Sequence, residues 1–305
     1  MKKGKKQRYC NTETLVGIHT VSGTTENNID LVQADYSDYI SSCSLKKVRN
    51  KDQQEVCLRI NPNKKRMGYI MESYSEFQEK MKKIFTKLRV KDFRWRRVDL
   101  SFNTMNKCYF QDYRKLNRLL IACFINMTNA KNAYDTTDFW TGKTKSLAAK
   151  SGDLEIEFYD KQDESQGKSP YYSRLEFRSV RMRHDVEYEF LNLWVKRLDR
   201  MLDEFVNVQD RYNQCLAEVY LEDLKKQKKD REFLSLNSFL LSRTECIFTR
   251  KQLLDLFLML GIEKEKAKNR VYNFPKSYSI EFISKKDLED IVRDIQSKIR
   301  EYFSK

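Results

Sequence analysis

The sequence predicts an α+β fold, with an antiparallel or mixed β-sheet that carries helices on one face and a mainly helical C-terminal part. Short runs in the first part of the chain alternate apolar and polar side chains, the period-two pattern of a half-buried strand. From Asp185 to Lys229 the chain is rich in Leu, Glu, Lys and Arg and contains neither Pro nor Gly, which predicts long helices. We therefore expect a sheet-based domain over residues 1–184 and a helical domain over residues 185–305.

The elements of the first domain follow from hydrophobic periodicity. Apolar residues at three- and four-residue steps predict helices over about 74–90 and 110–126. Alternation predicts strands, and the weakest of these signals is the first: Thr14–Ile18, Val56–Asn61, Arg97–Asn103, Leu154–Lys161 and Ser173–Arg178. If the last two runs pair as antiparallel neighbours, a tyrosine hydroxyl, carboxylates and guanidinium groups meet on one surface.

The second domain has a pattern that fits a DNA-binding module. Thr249 to Asn273 reads as a helix, a break at Gly261 and a second helix. Phe274–Ile283 reads as a short extended segment that could form a wing, and Lys286–Phe303 as a final helix. Together these elements would make a winged helix. A helical subdomain that fills core is the alternative interpretation.

Composition indicates a polyanionic partner. Lys and Arg number 59 against 44 Asp and Glu, a net charge of +15, and release of counterions from phosphates favours binding of such a chain to nucleic acid. The seven cysteines are scattered without a CxxC, which favours reduced thiols and a cytoplasmic location. No signal peptide, membrane span or glycine-rich nucleotide loop is recognisable, so we expect no membrane partner.

Tyr159 is the sharpest candidate for chemistry. A phenol titrates near pH 10 and attacks poorly unless a metal, a cation or a base assists it. Lys161 is expected to share the strand parity of Tyr159 and to stabilise a phenolate or a departing oxygen. Asp99, Glu164 and Glu176 offer the hard oxygen ligands that Mg²⁺ or Mn²⁺ prefers, and such a metal would polarise a phosphate.

Basic residues near these positions predict contacts with DNA. Arg94-Trp95-Arg96-Arg97 sets an indole among three guanidinium groups, a mixture that suits stacking and phosphate contacts on a single strand. Arg174 and Arg178 are further DNA-binding candidates on the polar face. Both histidines, His19 and His184, stand alone, and a structural role is expected for them.

Four motifs in sequence resemble the replication initiation factor family (Rep_trans), the rolling-circle initiators of staphylococcal-type plasmids and related relaxases of Gram-positive conjugative elements. The motifs span about residues 10–185, and they are Leu58-Arg59-Ile60-Asn61-Pro62-Asn63-Lys64, Arg97-Val98-Asp99-Leu100-Ser101-Phe102-Asn103, Phe158-Tyr159-Asp160-Lys161-Gln162-Asp163-Glu164 and Arg174-Leu175-Glu176-Phe177-Arg178. The resemblance implies that Tyr159 attacks the nick-site phosphodiester, that Lys161 and Glu164 occupy matching positions, and that Asp99 and Glu176 are metal-ligand positions.

The chain departs from the family pattern at three places. Asn103 replaces a second aspartate, and Glu157 replaces an arginine two residues before the tyrosine. The stretch from Phe139 to Asp153 is longer than the usual tight hairpin.

The expected function is a DNA-nicking and strand-transfer initiator of rolling-circle replication of a plasmid or mobile element, or a relaxase for conjugative transfer. Its expected partners are origin DNA, single-stranded and duplex, with a host helicase and a second copy of the chain as further candidates. Glu157 and Asn103 favour the competing hypothesis, a non-catalytic DNA-binding initiator or regulator that shares the fold. An RNA-binding protein that uses the same basic aromatic surface is the third hypothesis.

Overall fold

A seven-stranded sheet forms the centre of the computed structural model, which describes residues 14–26, 39–47, 54–63, 70–105, 110–130, 136–142, 146–230, 235–278 and 280–305. The strands are β1 (Thr14–Thr25), β2 (Ile40–Lys47), β3 (Gln54–Ile60), β4 (Arg94–Thr104), β5 (Leu147–Ser151), β6 (Leu154–Asp160) and β7 (Ser173–Ser179). They lie in the order β2-β3-β1-β4-β7-β6-β5, and every pair is antiparallel. The predicted strands and the antiparallel β6–β7 pair are confirmed, whereas β2 and β5 were not predicted.

The strand that carries Tyr159 ends one residue earlier than the alternation predicts. Asp160 closes β6 and its side chain accepts a hydrogen bond from the Asp163 N–H, which caps a helical turn. Lys161 begins this turn, α4 (Lys161–Glu164), so the prediction that Lys161 shares the strand parity of Tyr159 is wrong.

The predicted helices are confirmed in outline. In the first part of the chain lie α1 (Tyr74–Lys87), α2 (Phe110–Thr128), α3 (Thr136–Thr141) and α4, followed by α5 (Val186–Tyr188), a π-helical stretch (Glu189–Trp194), α6 (Val195–Asp203), α7 (Phe205–Asp230), α8 (Leu236–Leu241), α9 (Arg250–Met259), α10 (Lys264–Tyr278) and α11 (Lys285–Ser304). Gly261, at a φ of 75°, separates α9 from α10, since glycine adopts the left-handed conformation without steric cost.

One prediction in the C-terminal part is wrong. Phe274 to Tyr278 continues α10 and is not extended, and residues 280–283 carry no strand. The helix-break-helix pair is present, and the winged helix itself stays a prediction.

One hydrophobic core joins the sheet to helices from both parts of the chain. The apolar side chains of the strands, such as Leu100 and Phe177, face helices on one side of the sheet. Phe177 packs against Trp194 with ring centroids 4.9 Å apart, and the Ile18 N–H donates a hydrogen bond to the Tyr302 hydroxyl on α11. Burial of this surface, at about 25 cal/mol per Å², holds the C-terminal helices onto the sheet. The polar side chains of the strands lie on the opposite side, which we call the open face, although several of them, such as Asp99 and Glu176, are buried.

Across the ranges that the structure describes, no helix combines the length and apolar character needed to cross a membrane.

Candidate functional site

Polar side chains on the open face form three rows that cross β6, β7 and β4. Because the strands are paired in register, each row holds one residue from each strand. The rows are Glu155–Arg178–Asp99, Glu157–Glu176–Ser101 and Tyr159–Arg174–Asn103. The structure thus brings Tyr159, Glu176 and Asp99, which are far apart in sequence, onto one surface.

Tyr159 and Glu176 are directly linked. The Tyr159 hydroxyl donates a hydrogen bond to Glu176 Oε1 over 3.1 Å. Burial, followed by the negative charge of Glu176, raises the pKa of Tyr159 well above the ordinary value for a phenol. The side chain is therefore a neutral phenol at neutral pH that donates its hydrogen bond to a carboxylate.

Glu176 is a buried carboxylate among cations. Burial alone would raise its pKa, but His19, Arg178 and Arg174 outweigh burial and lower the pKa of Glu176 to about 2. Arg178 Nε donates to Glu176 Oε2 over 2.9 Å, and His19 Nδ1 lies 3.8 Å from Glu176 Oε1. Burial and the charge of Arg174 lower the pKa of His19 itself to about 3, so the two arginines compensate Glu176 at neutral pH.

Asp99 is held by a different arginine. Arg97 Nε and Nη2 donate to its two carboxylate oxygens over 2.7 and 2.9 Å, a bidentate pair. Burial nevertheless outweighs Arg97 and raises the pKa of Asp99. Arg178 Nε is 3.9 Å from Asp99 Oδ2, so this guanidinium links the Asp99 pair to Glu176.

Two of the three departures from the family pattern, Glu157 and Asn103, have local partners. Glu157 forms an ion pair with Arg178, which Glu155 also approaches at 3.5 Å. The Asn103 carboxamide accepts a hydrogen bond from Arg174 Nε over 2.6 Å and donates to Ser101 Oγ over 3.1 Å. An aspartate could accept but not donate at this position, so the amide fits the hydrogen bonds present.

Lys161 and Glu164 form their own pair at the rim of the site. They make an ion pair within α4, and the Lys161 ammonium lies 5.6 Å from the centroid of the Tyr159 ring. The Glu164 side chain is 54% exposed, and among the described residues it forms no three-ligand group with Asp99 and Glu176.

We call Tyr159, Glu176, Arg178, Asp99 and Arg97 the tyrosine cluster.

The residues as placed do not fit a divalent metal. Among the described residues, no group of three or more His, Cys, Asp or Glu side chains is arranged to hold one. The carboxylate oxygens of Asp99 and Glu176 are bonded to guanidinium groups, which compete with a cation for the same lone pairs. Mg²⁺ or Mn²⁺ at Asp99, Glu164 and Glu176 stays a prediction.

The predicted DNA-binding residues are divided between the two faces. Trp95 turns toward α1 and packs with Phe77 and Phe93, at centroid distances of 6.2 and 5.1 Å, so the indole does not lie among the arginines of the open face. Arg96 is exposed, whereas Arg174 is 1% exposed and lies beneath the site. Arg94 is exposed and pairs with Glu26 and Glu55, and Arg97 and Arg178 belong to the tyrosine cluster.

His19 is the site residue that sequence reasoning undervalued. A β-bulge between Ile18 and Thr20 places it on the open face beside Glu176. Asn63 fixes the bulge, since its amide donates to the Ile18 carbonyl over 2.9 Å. His184, by contrast, is exposed and contacts Tyr188. The strand register that creates the bulge is not visible in the sequence.

The chain matches no protein-family model. It also matches no curated protein. The resemblance to the replication initiation factor family therefore rests on the four motifs alone.

Proposed function

We propose that this chain nicks DNA and transfers the cut strand, as an initiator of rolling-circle replication of a plasmid or other mobile element. The observation that carries the proposal is the hydrogen bond from the Tyr159 hydroxyl to Glu176 on the open face. It supplies a nucleophile with an adjacent proton acceptor, the pairing that nucleophilic catalysis requires. A relaxase for conjugative transfer would use the same chemistry on different DNA.

In the proposed step the Tyr159 oxygen forms a bond to phosphorus as the bond from phosphorus to the 3′ oxygen breaks. The phenol proton passes to Glu176 and then to the departing 3′ oxygen, which leaves a 5′-phosphotyrosyl link and a free 3′-OH. A carboxylate with a pKa of about 2 is a weak base. A DNA phosphate that draws Arg178 away raises the pKa of Glu176 and strengthens it as an acceptor.

The wider proposal assigns partners to the rest of the molecule. The helices after Asp185 would recognise duplex origin DNA, and the open face would bind an extruded single strand. A host helicase, a second copy of the chain, Mg²⁺ or Mn²⁺ at the predicted carboxylates and the cytoplasmic location predicted from the scattered cysteines also belong to the proposal.

A covalent-adduct assay tests the nucleophile. Single-stranded oligonucleotides of random sequence, labelled at the 3′ end, are incubated with the protein and Mn²⁺ or Mg²⁺ and run on a denaturing gel. We expect the label to move with the protein, because the 3′ part of the strand keeps the 5′ phosphate. The Tyr159→Phe variant should form no adduct, and Tyr172→Phe, at a half-buried tyrosine nearby, should form it normally. A parallel reaction with a chelator tests the metal.

A non-catalytic DNA-binding protein is the second candidate. The observation that favours it is that Arg178 forms ion pairs with Glu155, Glu157 and Glu176. The charge of this guanidinium is therefore already neutralised by carboxylates of the protein. Binding of duplex DNA without any adduct would support this candidate. An adduct that survives Tyr159→Phe and disappears in Tyr172→Phe would assign the nucleophile elsewhere.

A further inference from the structure

A groove beside the tyrosine cluster crosses the other half of the open face. Its volume is about 490 Å³, and it lies over β4, β1, β3 and β2. Serine hydroxyls form its floor, and arginines stand around it. The lining side chains that matter here are Ser22, Ser42, Ser44, Arg59, Arg96 and Arg97. We call it the serine–arginine groove.

Strand register arranges the groove as a row. Ser22 pairs with Arg97 on one side and with Arg59 on the other, and Arg59 pairs with Ser42. Arginines and serines therefore alternate across four strands, and Arg97 and Arg59 are two strands, or about 10 Å, apart. Short side chains between long ones leave a trough between Arg97 and Arg59.

The charge of the groove favours an anion. Four arginines line it, including Arg181, whose side chain is 81% exposed, and they face one glutamate, Glu55. Arg59 and Arg96 are exposed, in contrast to Arg174, which is buried beneath the tyrosine cluster. Guanidinium groups bind phosphate oxygens in bidentate geometry, which makes this lining suitable for phosphodiesters.

A buried hydroxyl under the groove adds a second observation. Thr24, which also lines the groove, is 5% exposed, and its Oγ1 has no hydrogen-bond partner among the described residues. An unpaired buried hydroxyl costs about 1–3 kcal/mol, and a ligand oxygen in the groove would remove that cost. This polar floor suits a hydrogen-bonding ligand better than an apolar one.

Arg97 makes the groove continuous with the tyrosine cluster. It lines the groove and at the same time holds Asp99. Along β4, Arg97 lies six residues before Asn103, the row of Tyr159, which corresponds to about 20 Å. A polymer that enters the groove can therefore reach Tyr159 within a few nucleotides.

We infer that the serine–arginine groove binds the sugar–phosphate backbone of a single DNA strand, several nucleotides from the phosphate that Tyr159 attacks. The inference rests on the proposed function for the identity of the strand. Trp95, the aromatic residue nearest in sequence to the groove arginines, packs on the opposite face, so the groove holds phosphates without stacking bases. Binding there is independent of sequence.

The salt dependence of binding tests this inference. Affinity of the full chain for a fluorescent single-stranded 20-mer is measured by anisotropy over a range of salt concentrations, with Tyr159→Phe present in every variant to prevent cleavage. Each phosphate contact to a single strand contributes about 0.7 to the slope of log K against log salt. We expect Arg59→Gln and Arg96→Gln each to reduce the slope by about 0.7, equally for oligo-dT and for mixed sequences.

Controls separate the groove from general charge and from catalysis. Arg200→Gln removes an exposed arginine from α6 and should leave the slope unchanged. Wild-type slopes for both groove variants would overturn the inference, as would a slope change seen with duplex DNA alone or with single-stranded RNA alone. If the groove variants behave as expected but wild-type protein forms no adduct, the groove stands and the nicking proposal fails. If wild-type protein forms the adduct but the groove variants keep wild-type salt slopes, the nicking proposal stands and the groove inference fails.

Discussion

The tyrosine cluster and the serine–arginine groove share one sheet face but use arginine in opposite ways. In the cluster Arg178 is enclosed by carboxylates from β6, β7 and β4, and Glu176 is 3% exposed. In the groove Arg59 and Arg96 are exposed above serine hydroxyls. The same residue type therefore compensates buried charge in one region and offers charge to a ligand in the other.

The difference has energetic consequences that can be measured separately. A buried ion pair is costly to break from one side, because the remaining partner stays desolvated. An exposed arginine contributes little to stability, and its loss is felt in the binding of anions. Substitutions in the cluster should thus act mainly on folding, and substitutions in the groove mainly on DNA affinity.

The largest expected effect follows from Glu176→Gln. The substitution keeps the shape but removes the charge that Arg174 and Arg178 share, which should lower the free energy of unfolding by about 3–5 kcal/mol. Urea denaturation followed by circular dichroism measures it. Arg59→Gln, the matched change in the groove, should alter the same quantity by less than about 0.5 kcal/mol. Equal losses from the two variants would contradict the division between cluster and groove.

A smaller effect is expected in the dependence of stability on pH. The pKa of His19 is lowered from 6.5 to about 3. Between these two pH values the unfolded chain binds a proton at His19 that the folded chain does not. The free energy of unfolding should therefore be unaffected by His19 above pH 6.5 and should decrease as the pH falls toward 3. Glu176, whose pKa is lowered from 4.5 to about 2, adds a loss below pH 4.5. Between pH 6 and 4.5 the slope of the unfolding free energy against pH that is due to His19 should approach about 1.4 kcal/mol per pH unit.

His19→Gln separates these two titrations. The variant should lose the part of the slope between pH 6 and 4.5 and keep the part below pH 4.5 that belongs to Glu176. Denaturation midpoints measured at half-unit pH steps for both proteins give the difference. An unchanged slope in the variant would mean that His19 is not held neutral beside Glu176.

Sequence predicted the cluster better than the groove, and the reason is physical. Strand parity is a local property, so alternation placed Asp99, Tyr159 and Glu176 on one face before any pairing was known. The groove depends on which strands become neighbours, and β2, which completes it, has no clear alternating pattern. The row of Arg97, Ser22, Arg59 and Ser42 exists only through register.

The failures have similar causes. Lys161 does not lie on the strand face of Tyr159, because Asp160 caps a helical turn that begins at Lys161. Side-chain capping by aspartate favours this turn over continuation of the strand. The DNA-binding role of Trp95 stays a prediction, but the core packs its indole against α1 and away from the neighbouring arginines. His19 reaches the site through a bulge, and a bulge displaces one residue without changing composition.

The smallest of the three effects concerns the contact that supports this bulge from the helical part of the chain. The Tyr302 hydroxyl, on α11, accepts a hydrogen bond from the Ile18 N–H over 3.3 Å, next to His19. Tyr302→Phe leaves that buried N–H without its acceptor and should cost about 1–2 kcal/mol of unfolding free energy. Tyr188→Phe, at an exposed tyrosine of α5, is the matched control and should change little. Because Ile18 precedes the bulge, Tyr302→Phe should also weaken the pH dependence assigned to His19, while leaving the salt dependence of DNA binding in the groove unchanged. A shift in the groove's salt slope would show that the two regions are coupled through β1 and are not independent.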